Sequence, residues 1–251
     1  MSWTSLCVDP SAVGERQLQN VRVAAATFAH DDLPDVRFVR FEIANLGSEP
    51  VEGLRAGFCA DYDTGGFFGS DHDLDGGDGE LSFVYVDPDH PADVAPGPAA
   101  GVAFLETPGD CGLDVRRLIY RVVGGTTADS RLDNQLSSTD DLLDTLDSLH
   151  KDGTPIIDPT TGAPSRLMFG GDPVSGIGWI DGDAPGAETG ADVRLLTAEA
   201  PTTLAAGERT VLTMMLAAAD EGELASNLDR LWARTRKVVT APARWQFPVA
   251  E

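Results

Sequence analysis

The residues best suited by type and spacing to do chemistry are the carboxylates of the run Asp71-His-Asp-Leu-Asp-Gly-Gly-Asp-Gly-Glu80. Carboxylates at Asp71, Asp73 and Asp75 followed by Gly76 place three hard oxygen ligands on one side of a tight loop, an arrangement suited to Ca²⁺. The twelfth position of a helix-loop-helix calcium site is Ser82, not a bidentate glutamate, and the exit is strand-like, so an EF-hand is excluded. A DxDxDG-type loop remains, with Asp78, Glu80, Asp61 and Asp63 as further ligand candidates. Aspartate and glycine are also what solvated acidic loops are made of, and both readings stand on the sequence alone.

The charge balance sharpens the question. The chain of 251 residues carries a formal net charge of −23, with 29 Asp against 12 Glu and 16 Arg against 2 Lys. Such a field repels phosphate backbones and anionic lipid, so nucleic acid and membrane surfaces are not expected partners. A salt-adapted or GC-rich source explains this composition as well as a cation-binding role does. Between Arg55 and Arg116 there are thirteen acids and no Lys or Arg, so groups from elsewhere in the fold, or bound cations, must share their neutralisation.

Other chemistries find little support. Cys7, Cys59 and Cys111 have no zinc-like spacing; a Cys59–Cys111 bridge and three thiols fit the sequence equally. Ser165 and Ser175 sit in no nucleophile elbow, and neither a phosphate-binding GxxxxGK[ST] nor an HExxH occurs. The glycine-rich run 170–178 lacks the strand-to-helix context and the lysine of a phosphate cradle, and reads as a structural loop pinned by Trp179. The expectation is therefore a non-enzyme. A calcium-dependent glycan-binding module, with an exposed aromatic beside the acidic loop, is the alternative; an acid-pair glycoside hydrolase is the remote one.

These residues need a scaffold, and the periodicity supplies one that is mainly β. Segments 18–29 and 36–44 alternate, with Val36, Phe38, Phe41 and Ile43 suited to a pleated surface. A turn at 45–50 leads to a strand at 51–60, and further strands are expected at 80–86, 99–105, 115–123, 193–198 and 209–218. Short strands at this spacing indicate a β-sandwich. Two peripheral helices are expected. One starts at a capping box of Ser138 and Asp141, carries the stripe Leu142, Leu143, Leu146 and Leu149, and stops at Gly153. The other, 221–238, has acids in its first turn, bases in its last, and the stripe Leu224, Leu228, Leu231 and Trp232. The reading is one β-rich domain over 1–251, with 1–17 and 239–251 as terminal segments. No apolar run approaches the roughly 18 residues that span a bilayer, and residues 1–10 do not read as an export signal.

Several runs in the second half resemble a known family: Asp152-Gly-Thr-Pro, Asp158-Pro-Thr-Thr-Gly, Gly171-Asp-Pro-Val-Ser-Gly-Ile-Gly-Trp179, and the turn Thr203-Leu-Ala-Ala-Gly-Glu208 before an apolar strand. They resemble a domain of secreted multidomain bacterial surface proteins, which often carry a type IX-type sorting signal or Ig-like modules. The resemblance covers about 36–237 and extends to Asp61, Asp63 and Gly65 in the first half; the chain departs from it at 184–190 and at Ala198-Glu-Ala-Pro. It implies a non-catalytic extracellular or cell-surface module of structural or adhesion type, whose partners are glycans or neighbouring domains of a longer surface protein.

Overall fold

A computed structural model describes residues 20–61, 73–86, 97–108, 116–122, 139–181 and 192–240. The fold is mainly β, built on a six-stranded antiparallel sheet. Its strands are β1 (Val21–His30), β2 (Leu33–Asn45), β5 (Asp73–Gly77), β6 (Ser82–Val86), β7 (Ala99–Glu106) and β11 (Arg209–Ala219), in the order β1-β2-β11-β7-β6-β5. A second sheet has the order β4-β9-β8, from β4 (Gly57–Asp61), β9 (Asp192–Ala198) and β8 (Arg116–Val122). A short pair joins β10 (Thr202–Leu204) to β3 (Val51–Leu54).

Alternation along the large sheet gives it two apolar faces. Phe41, Val84, Val102, Phe104, Leu212 and Met214 meet Phe58, Ala60 and Leu195 of the second sheet, so the two sheets form a sandwich. Phe38, Phe83, Tyr85, Ala103, Met215 and Ala217 face the other way, onto helix α2 (Leu224–Val239) through Leu228, Leu231 and Val238. The long helix is thus a third layer. The other helix, α1 (Thr139–Leu146), makes barely two turns before Ser148 takes a left-handed φ of 60°. Arg55 grips Asp147 just beyond it through Nε to Oδ1 at 2.9 Å and Nη2 to Oδ2 at 2.6 Å.

Four local expectations change. The expected strand 51–60 is divided at residues 55–56 between β3 and β4, which belong to different sheets; Gly53, with φ of 65°, lies within β3. The strand at 36–44 begins earlier, because residues 31–32 close a tight hairpin that pairs His30 with Leu33. The acids expected in the first turn of α2 lie ahead of it: Glu223 is its N-cap residue, without a side-chain cap bond. Asn227 ties that end down instead, donating from Nδ2 to Gly97 O at 2.6 Å and to Gly222 O at 3.2 Å. Finally, Asp73–Gly77 is a strand and not part of a tight loop. The capping role of Ser138 lies outside the described residues.

Candidate functional site

A surface cleft of about 370 Å³ opens where three segments meet. The first is the β5–β6 hairpin. Gly76 pairs with Phe83, and a Cβ at Gly76 would lie 2.7 Å from the Phe83 ring, so the missing side chain is the space the ring occupies. That glycine therefore serves cross-strand packing. The turn is held by Asp78, whose Oδ1 accepts from the Glu80 N–H at 2.6 Å and the Leu81 N–H at 3.1 Å.

The second segment is the glycine-rich run. Residues 171–179 form a miniature hairpin: Gly171 N–H donates to Trp179 O and Asp172 N–H to Ile177 O, both at 2.8 Å. Gly176 and Gly178 adopt φ of 70° and 90°, and a Cβ at Gly171 would lie 2.7 Å from Trp179 O. Each of these glycines answers to conformation or close approach. Trp179 packs edge-on against Phe169, with ring centroids 5.1 Å apart, and contributes to the core between the sheets. It is half-buried, so Trp179→Ala is expected to cost about 2–3 kcal/mol, below the roughly 3–5 kcal/mol of a fully buried aromatic. Urea denaturation checks this; an unchanged midpoint would mean the loop is not pinned there.

Asp172 organises the loop tip. Its Oδ2 accepts from the Ser175 hydroxyl at 2.7 Å and its Oδ1 from the Val174 N–H at 2.9 Å. The Ser175 bond, then the Val174 bond, hold its carboxyl below the ordinary 3.8. A pKa depressed by folding gives stability that is present above the unfolded value and lost as pH falls through the folded one. The 171–179 hairpin should therefore loosen below the ordinary carboxylate range, and Ser175→Ala should move that loosening to higher pH. The pH dependence of Trp179 fluorescence reads it directly; coincident profiles for the two proteins would refute it.

The third segment is the N-terminal half of α2, where Ala225, Asp229 and Trp232 border the cleft and the buried Leu228 lies beneath them at helical spacing. Trp232 is half-buried, meets Phe83 edge-on at 6.4 Å, and carries the Arg236 guanidinium 5.8 Å from its ring centre. Phe83 and Leu228, both buried, close the floor of the cleft, the partly exposed Trp232 with Pro173 and Val174 gives it apolar walls, and Asp78, Asp172 and Asp229 set carboxylates around it.

The expected metal ligands are carried by several elements. Asp73 and Asp75 lie in β5 opposite Val86 and Val84. Asp61 ends β4 in the other sheet, opposite Arg194. Asp78 and Glu80 belong to the hairpin turn, and Asp78 lines the cleft. Asp63 and Asp71 lie outside the described residues, as do Cys7 and Cys111, and with them the proposed bridge to Cys59. Among the described residues no three His, Cys, Asp or Glu side chains are grouped to hold a metal ion. Sequence reasoning missed the roles of Asp229 and Trp232 because the apolar stripe assigned Trp232 wholly to the core. The signal available was Arg236, one turn further on, which marks an indole edge reaching the surface.

No protein-family model matches the chain, and none of the curated proteins matches it. Among the described residues no helix is long and apolar enough to cross a membrane.

Proposed function

We propose that this protein is a non-catalytic recognition module of adhesion type that contacts its ligand through the cleft between the 170–174 loop, the β5–β6 turn and α2. One observation carries the reading: aromatic and aliphatic side chains converge with three carboxylates in a concave surface of about 370 Å³, within the range of about 300–1,000 Å³ typical of ligand sites. The extracellular or cell-surface setting belongs to the same proposal and rests on the resemblance of 152–179 to surface-protein domains. A glycan ligand is the second reading, favoured by the half-exposed Trp232 beside Asp78, since an indole stacks on a sugar face and carboxylates accept its hydroxyls.

The test is an NMR titration of the labelled protein with neutral oligosaccharides and with short peptides. Amide shifts at residues 170–174 and 225–232 are expected for at least one class of probe. Shifts confined to other surfaces would overturn the assignment of the site. Calcium is proposed as a stabiliser of the acidic run, supported by the lack of any Lys or Arg between Arg55 and Arg116. A cation selective for the folded state raises Tm, and Asp73→Ala should abolish the rise. An unchanged Tm with millimolar Ca²⁺ removes the ion from the account.

A further inference from the structure

The apolar surface and the carboxylates of the cleft belong to one recognition problem. The partly exposed Trp232 with Pro173 and Val174 favours an apolar stem, whereas Asp78, Asp172 and Asp229 favour a positive head; among the described residues no Lys, Arg or His lines the cleft itself, the nearby Arg236 lying over the Trp232 ring. We infer that the occupant is a basic segment of a partner polypeptide, laying an arginine or lysine side chain along Trp232 with its cationic end among these carboxylates. This rests on the reading that the cleft is the recognition site, and it adds the chemistry of the ligand.

Charge complementarity argues for this occupant over two others. A neutral sugar would hydrogen-bond the carboxylates but leave their three charges uncompensated. A bare divalent ion needs six or more oxygens close around it, and much of this cleft is carbon. A guanidinium or ammonium on an alkyl stem satisfies both surfaces, because the stem buries along apolar groups while the head stays with its counter-charges. Arg236 already lies over the Trp232 ring, 5.8 Å from its centre, so an incoming stem takes the part of the indole that this guanidinium leaves open. Val174 at the lip is 52% exposed and Ile177 on the same loop 70% exposed, which offers apolar contact to residues flanking the basic one. The net charge of −23 steers a basic segment inward from a distance, and the approach should weaken with salt.

The experiment is an NMR and calorimetric titration with a hexa-arginine peptide, a hexa-glutamate peptide and a neutral oligosaccharide. Hexa-arginine should shift amides at 171–174 and 225–232, and the other two probes should not. Asp78→Asn/Asp229→Asn should weaken hexa-arginine about tenfold, the equivalent of roughly 1.4 kcal/mol. The carboxamide oxygen introduced at position 78 keeps the acceptor that holds the turn. The charge-matched Glu49→Gln/Glu52→Gln, on exposed residues around the β2–β3 turn, should leave affinity within twofold, an order-of-magnitude allowance for nonspecific attraction. Equal weakening by the two pairs would overturn the inference, because it would mean that only overall charge is sensed. If the double aspartate variant is misfolded by circular dichroism, Asp229→Asn alone, at an exposed helix position, decides the same point. Shifts at these residues with the oligosaccharide alone would overturn the basic ligand and leave the cleft as recognition site. Silence toward every probe would overturn both.

Discussion

Leu231→Ala is expected to lower the unfolding free energy by about 2–5 kcal/mol, the range for large-to-small changes in close-packed cores. Leu231 is 0% exposed and lies with Leu228 and Val238 among Phe38, Phe83, Tyr85 and Met215 of the large sheet. The hole left by its isobutyl group would be bordered by a helix on one side and a hydrogen-bonded sheet on the other, and neither collapses readily. Urea denaturation followed by circular dichroism measures the loss. A change below about 1 kcal/mol would mean that α2 is an appendage the sheet does not depend on.

The second large effect is expected at Gly97, immediately ahead of β7. Its φ of 88° is in the left-handed region, and a Cβ there would collide with the Leu224 backbone nitrogen and lie 2.9 Å from the Glu223 carbonyl carbon. The same glycine's carbonyl accepts from Asn227. Gly97→Val adds a left-handed penalty of about 1–2 kcal/mol to an overpacking cost of about 1–3 kcal/mol, and displaces the start of the helix. A loss of roughly 3 kcal/mol is expected, accompanied by altered fluorescence of Trp232 one face of the helix away. A variant as stable as the parent would show that the two backbones separate without cost.

Much of the fold was legible because alternation and turn chemistry are local. Val36, Phe38, Phe41 and Ile43 placed β2, and the stripe through Leu224, Leu228 and Leu231 placed α2 against a sheet. The acidic run was misread because Asp and Gly are poor strand formers, yet residues 73–77 are held by cross-strand partners and by the Phe83 ring over Gly76. That is tertiary context, which intrinsic preference does not carry. The cleft was invisible for a related reason. Asp78, Asp172 and Asp229 come from three separate segments, and only the packing of the hairpin turn and the 170–174 loop beside α2 makes them neighbours.

The central position of β11 has a consequence in time. It pairs Phe41 with Leu212 on one side and Val102 with Leu216 on the other, so the middle of the large sheet is completed by a strand synthesised after the five others of that sheet. Without it, no hydrogen bonds join the β1–β2 hairpin to the β5–β6–β7 ladder. Joining them requires closure over long separations, which slows folding and lengthens exposure to wrong partners. The strongly negative charge meets that hazard: chains that repel one another associate more slowly while β11 is still to be paired.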